Sequence, residues 1–339
     1  MKDVAEIAGV SYTTVSHVVN KSRFVEEWTK KRVLAAIKEL DYHPNILARG
    51  FKTGKSYTIG LIVSDITNPF FPEIIRGVEA EAFSSNYDIF LSSTNYDHKK
   101  TSMLVNRLIE KKVDGAIVAT LEADYSLSSY LASKKIPVVL LDWGITDYLI
   151  SNIKENYTTG MEQAINHLME LGHKNIAFVA GPENFKTATN RKESFISVSN
   201  RYMDKINKPI IIEESLRISG GEAAADKMLG LPSIPTAVIT SSDLVAIGFI
   251  RRIKEKGLNV PSDISVIGFN DIFLATFIEP PLTTIGVPRY QIGQLAWKLM
   301  NNFIKSKNKK GKEEVIDTTL VIRGTTGKVL NISHKNKIN

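Results

Sequence analysis

The sequence predicts an all-α head joined to an α/β body of two doubly wound parallel-sheet lobes. Three observations carry this reading. Short helical patterns fill the first forty residues. From Tyr57 onward, apolar strand-like runs alternate with helical segments. Those runs are too numerous for one comfortable sheet, so two lobes are more economical.

In the head, Lys2–Ala8 places Val4, Ile7 and Ala8 on one side. Gly9-Val10-Ser11 is a break. Tyr12–Asn20 then sets Val15, Val18 and Val19 at helical spacing, and Thr29–Leu40 aligns Val33, Ala36, Ile37 and Leu40. Pro44 stops the third helix near Tyr42. Gly9 suits the tight turn, and Ser11 stands where a hydroxyl caps the free amides of the second helix. With the valines inward, Tyr12, Thr13, Ser16, His17 and Asn20 share the opposite face. A DNA major groove accepts one such helix and is read by its N-terminal residues. The plainer alternative is a small bundle that is polar outside by default. Turn, cap and valine face together favour a helix-turn-helix.

Asn45–Lys52 spans about two turns and contains Gly50, too little for a stable isolated helix. Either it is loose alone and helical on DNA, with Phe51 wedged into a minor-groove step, or it is a plain linker with Phe51 tucked away. Thr53–Ser56 reads as linker.

Strands are expected at Thr58–Val63, Ile89–Ser92, Gly115–Ala119, Val138–Leu141, Ile176–Ala180, Ile210–Ile212, Ala237–Thr240 and Ser265–Phe269. Helices are expected over segments such as Phe71–Ser84, Lys99–Glu110, Thr158–Leu171 and Leu244–Lys256. Open α/β lobes bind ligands beyond the carboxyl ends of their strands. Asn68-Pro69-Phe70-Phe71, Asp142-Trp143, Thr187, Arg191, Ser242-Asp243 and Asn270-Asp271 fall there. Carboxylates and a forked guanidinium suit a polyhydroxylated ligand, and aromatic rings suit its apolar face. The competing readings are that Asp142, Asp243 and Asp271 cap helices and that Phe70 and Phe71 are core.

The formal charge is +7, with ten Lys/Arg against six Asp/Glu in residues 1–55. Outside the head, the run Lys305–Lys312 and the tail, the body is net acidic. A basic head on an acidic body points the head at a polyanion; Lys305–Lys312 reads as a solvated loop. The absence of cysteine excludes a disulfide framework, a Cys-bound zinc and a Cys nucleophile. Asp3 and Glu6 break any secretory signal, and no apolar run would span a bilayer, so a cytoplasmic protein without membrane contact is expected. There is no Gly-x-Ser-x-Gly elbow, phosphate-cradling loop or His-Glu-x-x-His, and the six histidines show no metal-ligand spacing. Neither an enzyme nor a bound cofactor or metal is expected. His173 is expected at a helix C-terminus, favourable to the dipole. A transport-linked solute-binding protein would fit the body but has no use for residues 1–52.

Lys2-Asp3-Val4-Ala5-Glu6-Ile7-Ala8-Gly9-Val10-Ser11, then Thr14-Val15-Ser16-His17-Val18-Val19-Asn20, with Tyr42-His43-Pro44-Asn45 and Ala48-Arg49, resembles the lactose-repressor (LacI/GalR) family of bacterial transcription regulators. The resemblance implies base reading by Tyr12, Thr13 and His17. It implies a hinge containing Ala48 and Phe51, the latter standing where many members carry an intercalating leucine. It also implies a homodimer on a pseudo-palindromic operator in double-stranded DNA. The body resembles periplasmic sugar-binding proteins, whose chain crosses between lobes three times, here near Ile153, Leu282 and Glu313. The expected organisation is a head at 1–44, a hinge and linker at 45–56, one lobe at 57–152 plus 282–312, the other at 153–281 plus 313–330, and a tail at 331–339. By resemblance Asn68, Phe70, Phe71, Asp142, Arg191, Asp243 and Asn270 contact the effector, with Trp143 beside them. Asn270 replaces an Asp common in sugar and purine binders, and Val287 a frequent Gln. The Asn-Pro-Phe-Phe turn favours a carbohydrate effector. Asp142-Trp143-Gly144 resembles the purine-responsive repressor, but Phe185 stands where that protein carries an Arg. Control by a phosphoprotein is the third alternative. Gly327–Asn339 lacks the leucine repeat of tetrameric members, so a dimer is expected.

Overall fold

The computed structural model describes residues 1–20, 23–42, 54–121, 125–306 and 309–329. Ala48 and Phe51 lie outside them. The chain divides into Met1–Ser56 and Tyr57–Asn339.

The first unit holds α1 (Lys2–Ile7), α2 (Tyr12–Asn20) and α3 (Glu27–Glu39). Val4, Ala5, Ala8, Val15, Val33 and Ala36 form its core, with Val18, Val19 and Ile37 packed against it. Gly9 turns the chain at φ +57°, and a Cβ there would stand 2.4 Å from Arg32 Nη2. The left-handed φ is what favours glycine here, since the end of the Arg32 side chain can move aside. The Thr14 amide donates to Ser11 Oγ at 3.0 Å, the cap that the sequence places there.

The second unit contains two six-stranded sheets. The first runs β1 (Thr58–Val63), α4 (Phe70–Ser84), β2 (Asp88–Ser93), α5 (His98–Glu110), β3 (Gly115–Ala119), α6 (Tyr125–Ser133), β4 (Val138–Leu141) and β5 (Ile150–Asn156). The second runs α7 (Tyr157–Glu170), β6 (Ile176–Ala180), α8 (Lys186–Asn200), β7 (Ile210–Glu213), α9 (Ile218–Leu229), β8 (Ala237–Thr240), α10 (Asp243–Glu255), β9 (Ser265–Asn270) and β10 (Thr283–Gly286). The chain then supplies α11 (Arg289–Lys305) and β11 (Glu313–Asp317) to the first lobe and β12 (Thr319–Val321) to the second. Strand order is β11-β5-β4-β3-β1-β2 in one sheet and β12-β10-β9-β8-β6-β7 in the other. All pairings are parallel except β10 with β12. Helices cover both faces, so the central strands are buried throughout and read as unbroken apolar runs.

The eight strands expected from the sequence form. Four more, β5, β10, β11 and β12, move the lobe boundaries. β5 continues to Asn156, so the first crossing follows Asn156 instead of falling at Ile153. β10 pairs with β9, so the second follows Gly286, not Leu282. β11 pairs with β5, so the third lies between Asp317 and Thr319, beyond Glu313. These strands hide because they are polar. In β5, Ser151, Asn152 and Glu155 are buried. Asn152 Oδ1 accepts from the Trp143 amide at 3.0 Å, and its Nδ2 donates to Glu313 at 3.2 Å.

His173 also departs from expectation. It is buried, with Nδ1 2.9 Å from Thr236 Oγ1 and Nε2 3.0 Å from the Gly327 carbonyl oxygen. Burial lowers its pKa. It works as a neutral tie between chain segments, not as a cation at a dipole. The described part of Lys305–Lys312 is the loop between α11 and β11 that the sequence leads one to expect, with Lys305, Lys310 and Lys312 exposed; the carbonyls of Lys309 and Lys312 accept from Leu149 and Asn152 amides at 2.8 and 2.9 Å.

Helices α4 and α11 touch through glycine. A Cβ at Gly293 would meet Ile74 O at 2.2 Å, and one at Gly77 would meet Tyr290 O at 2.2 Å. These are backbone atoms, so relief requires the helices to separate. Gly293→Ala should cost roughly 1–3 kcal/mol, read as a lower denaturant midpoint; an unchanged midpoint would show that the helices have room.

Candidate effector cleft and DNA-reading face

Between the carboxyl edges of the two sheets lies a cleft of about 680 Å³, part of it open to solvent. Asn68, Phe70, Phe71, Asp142, Arg191 and Asn270 line it, six of the eight effector residues expected from the sequence, and Thr187 joins them. Asn68 Oδ1 accepts from the Phe70 amide at 3.0 Å and starts α4. That turn sets Phe70 and Phe71 edge to face, centroids 5.2 Å apart, as an apolar wall.

The polar wall is a buried cluster at the first crossing. Tyr157 OH donates to Asp142 Oδ2 at 2.5 Å, and Asn190 Nδ2 donates to the same oxygen at 3.4 Å. Arg191 Nη1 donates to the Ser241 carbonyl at 2.7 Å, and Nη2 lies 3.4 Å from Glu155 Oε2. The guanidinium also sits 4.1 Å from the Phe269 ring centroid and 5.2 Å from that of Tyr157. Burial pushes Glu155 up to about 7 against the pull of Arg191. Burial likewise raises Asp142, although bonds from Tyr157 and Asn190 and the charge of Arg191 oppose it.

Four buried polar atoms of cleft-lining residues have no protein partner: Thr120 Oγ1, Arg191 Nε, Ser241 Oγ and Asn270 Oδ1. Leaving such groups unpaired costs about 1–3 kcal/mol each. At the cleft mouth Tyr96 of one lobe meets Phe185 of the other at 5.9 Å. Lys186 Nζ reaches across to the Trp143 carbonyl at 2.7 Å.

Two expected residues do not line the cleft. Trp143 follows Asp142 and turns the opposite way, into the core with Val105, Val118 and Leu140, where Nε1 donates to the Thr120 carbonyl at 3.1 Å. Asp243 lies wholly buried beneath β9 and β10, accepting from Thr284 Oγ1 at 2.5 Å and the Ile272 amide at 2.7 Å. Its neighbour Ser242 faces the cleft and caps α10 through the Val245 amide. Asp271 pairs with Arg323 at 2.6 Å. Sequence reasoning missed Tyr96, Thr120, Glu155, Leu216 and Ser241, all of which line the cleft. Thr120 and Ser241 directly follow correctly placed strands, a signal present in the sequence.

In the head, Tyr12 is 54% exposed and Thr13 is exposed, whereas Ser16, His17 and Asn20 are half-buried on the same helix. Asn20 Nδ2 folds back onto the Ser16 carbonyl at 2.9 Å and hydroxyl at 3.2 Å. The N-terminal turn of α2 is therefore its most open part. Among the described residues no His/Asp/Glu group is arranged to hold a metal, and no helix is long and apolar enough to cross a membrane.

A three-helix head with one exposed polar helix, joined to a two-lobed body around a polar cleft, defines an effector-binding, DNA-binding transcription regulator. Residues 1–45 match the family of bacterial regulatory proteins, lacI family. Residues 56–325 match periplasmic binding proteins and the sugar-binding domain of the LacI family. The chain belongs to the LacI family. Among curated relatives, the HTH-type transcriptional repressor PurR of Photobacterium profundum is 37% identical over 324 residues, covering 95% of this chain and 97% of its own. The ribose operon repressor of Haemophilus influenzae is 34% identical over 323 residues, again covering 95% and 97%. The lac repressor dimer bound to operator and the anti-inducer ONPF superposes with a TM-score of 0.85 at 29% identity, over 96% of this chain and 98% of that one. A LacI family regulator from Enterococcus faecium with bound ribose gives 0.72 at 29% identity, over 80% and 100%.

Burial pushes Asp243 up to about 7, above the ~3.9 of an unfolded Asp. Between these values the native state binds more protons, so the contribution of this group to stability falls as pH rises from about 4 to about 7. Asp243→Asn cannot ionise, so the unfolding midpoint should lose that part of its pH slope. An unaltered slope would assign the titration to another group.

Proposed function

We propose that this chain is a cytoplasmic homodimeric repressor whose affinity for a pseudo-palindromic operator is switched by a small carbohydrate held between the lobes. The observation that carries the ligand class is the set of unpartnered cleft atoms. Arg191 Nε is a donor, Asn270 Oδ1 an acceptor, and the hydroxyls of Thr120 and Ser241 are both. Their complement is a ligand whose groups both donate and accept, as sugar hydroxyls do. Asp142 and Glu155 beside them disfavour a phosphate at this end of the cleft. Phe70 and Phe71 offer a face for the apolar side of a ring. The ribose operon repressor among the relatives and the ribose-bound family structure support the same class. A purine is the second reading, favoured by Asp142-Trp143-Gly144; Phe185, paired with Tyr96 at the mouth, supplies no cation to it.

The switch acts through the polar cluster. Asp142 bonds Tyr157 and Asn190 of the other lobe, and Arg191 reaches Glu155 back across the crossing. A ligand touching Asp142 and Arg191 biases the angle between lobes. That angle sets whether the segment 45–52 becomes helical on DNA. A coupling of ~1–3 kcal/mol suffices. On the DNA side, Tyr12, Thr13, Ser16, His17 and Asn20 read bases, and Ala48 and Phe51 enter the minor groove.

A melting-temperature screen with pentoses, hexoses, hypoxanthine and guanine tests the ligand class, since a cleft ligand raises the midpoint. A sugar should raise it, and Arg191→Ala should lose that rise while still binding operator. A shift with a purine alone would install the second reading.

His17→Ala should reduce discrimination between operator and scrambled duplex and leave the salt-dependent affinity for both. Anisotropy titrations at two salt concentrations read this; equal loss on both duplexes would remove His17 from base reading.

A further inference from the structure

We infer that the amino-terminal edge of the first lobe's sheet is a second DNA-contacting surface, binding duplex phosphates independently of the base-reading helix. Parallel sheets put all strand starts on one edge, opposite the cleft. Three connections to that edge of the first sheet are lysine-rich. Lys111 and Lys112 precede β3, Lys134 and Lys135 precede β4, and Lys305, Lys309, Lys310 and Lys312 precede β11. Lys55 precedes β1. Apart from the half-buried Lys309, all are exposed. In the order β11-β5-β4-β3-β1, this series crosses four strand spacings, or about 19 Å at ~4.8 Å each. A duplex carries one charge per ~1.7 Å, so such a row faces many phosphates.

Two simpler explanations fall short. A helix dipole favours a cation at the last turn, and the Lys111 and Lys134 ammoniums lie over the rings of Phe90 and Tyr130 at 4.6 and 5.3 Å, which accounts for one lysine after α5 and one after α6, not for two each. The longest run is a solvated loop whose described end is fixed by backbone bonds. Leu149 N donates to Lys309 O at 2.8 Å, Gly311 N to Asp147 O at 3.0 Å and Asn152 N to Lys312 O at 2.9 Å. Carboxylates share the edge, and three have structural work. Asp114 accepts from the Tyr57 amide at 3.0 Å, Asp147 from Tyr125 OH at 2.9 Å, and Glu313 from Asn152 at 3.2 Å. Asp88, Glu110 and Glu314 are the others. Nine lysines thus face six carboxylates on one edge of a body that is otherwise acidic. Duplex DNA is the fitting polyanion because the chain enters the body at this edge, at Thr58, and residues 1–45 of the same chain match the lacI family of bacterial regulatory proteins.

The test is equilibrium binding of the full chain to operator and to scrambled duplex across a salt series. The triple variant Lys111→Gln, Lys134→Gln, Lys135→Gln should bind both duplexes more weakly by a similar factor, on the order of tenfold at ~0.1 M salt. The slope of log K against log salt should shrink by about 0.9 for each phosphate that is no longer neutralised. The ratio of operator to scrambled affinity should stay constant. The Lys→Arg version of the same triple should retain wild-type affinity and slope, which separates lost charge from lost fold. Lys174→Gln, Lys205→Gln, Lys208→Gln, at the strand-start edge of the other sheet, removes equal charge at the far end and should leave binding unchanged. Equal loss in both Gln triples would mean a general field effect and overturn the proposal, as would no loss in the first. Wild-type retention on phosphatidylserine vesicles, abolished by the first triple without any change on DNA, would assign the edge to a membrane surface and overturn it too.

Discussion

The body depends on one constraint: a charged cluster is buried where its chain first crosses between lobes. Asp142, Glu155, Tyr157 and Arg191 come from both sides of that crossing, and each satisfies part of another's bonding demand. Removing one partner from a buried ion pair typically costs about 3–5 kcal/mol, because the charge left behind is uncompensated. The lobes therefore cannot separate here without water or ligand replacing those bonds. Yet the cluster is not closed on itself, since Arg191 Nε points to no protein acceptor. A site satisfied enough to hold two lobes and unsatisfied enough to want a ligand is suited to a switch.

The second crossing shows the same logic in backbone atoms. Arg289, the first residue of α11, donates to the Pro69 carbonyl at 3.3 Å in one lobe and to the Asp271 carbonyl in the other. Pro69 adjoins Asn68 and Phe70, and Asp271 adjoins Asn270, all cleft residues. Both crossings thus report on the cleft through a cation fixed between lobes. Behind them the glycine-mediated contact of α4 and α11 makes the first lobe stiff, because close-packed helices transmit a shift instead of absorbing it.

What the sequence made legible follows from this division. Central strands are buried on both faces, so apolar runs alone located β1, β3, β4, β6, β8 and β9 to within a residue. The strands at the crossings carry Asn152, Glu155 and Glu313, whose polarity is explained only by partners distant in the chain. No local pattern announces such partners, and every lobe boundary shifts for that reason. Among site residues, those in a recognisable turn were readable, such as Asn68, whose side chain accepts from the Phe70 amide two residues on. Trp143 and Asp243 were not, because the sequence does not say which residues after a strand enter the cleft and which turn into the core. Asp142 and Ser242 face in, while the residue after each, Trp143 and Asp243, is buried away from the cleft.

Two of the buried carboxylates, Asp243 and Glu155, end with separate tasks. Both are pushed up to about 7, and desolvation is the main cause in each. Asp243 is satisfied by Thr284 and the Ile272 amide deep under β10, so its cost is one of stability alone. Glu155 shares Arg191 with the cleft, so any ligand that recruits the guanidinium weakens the support for its charge. Effector binding and proton uptake at Glu155 are then linked in sign: a ligand that draws Arg191 away raises the carboxyl further. One that leaves the pair intact does not. The same desolvation is thus a fixed cost in the core and an adjustable one at the cleft, and the difference lies in whether the compensating group can be shared.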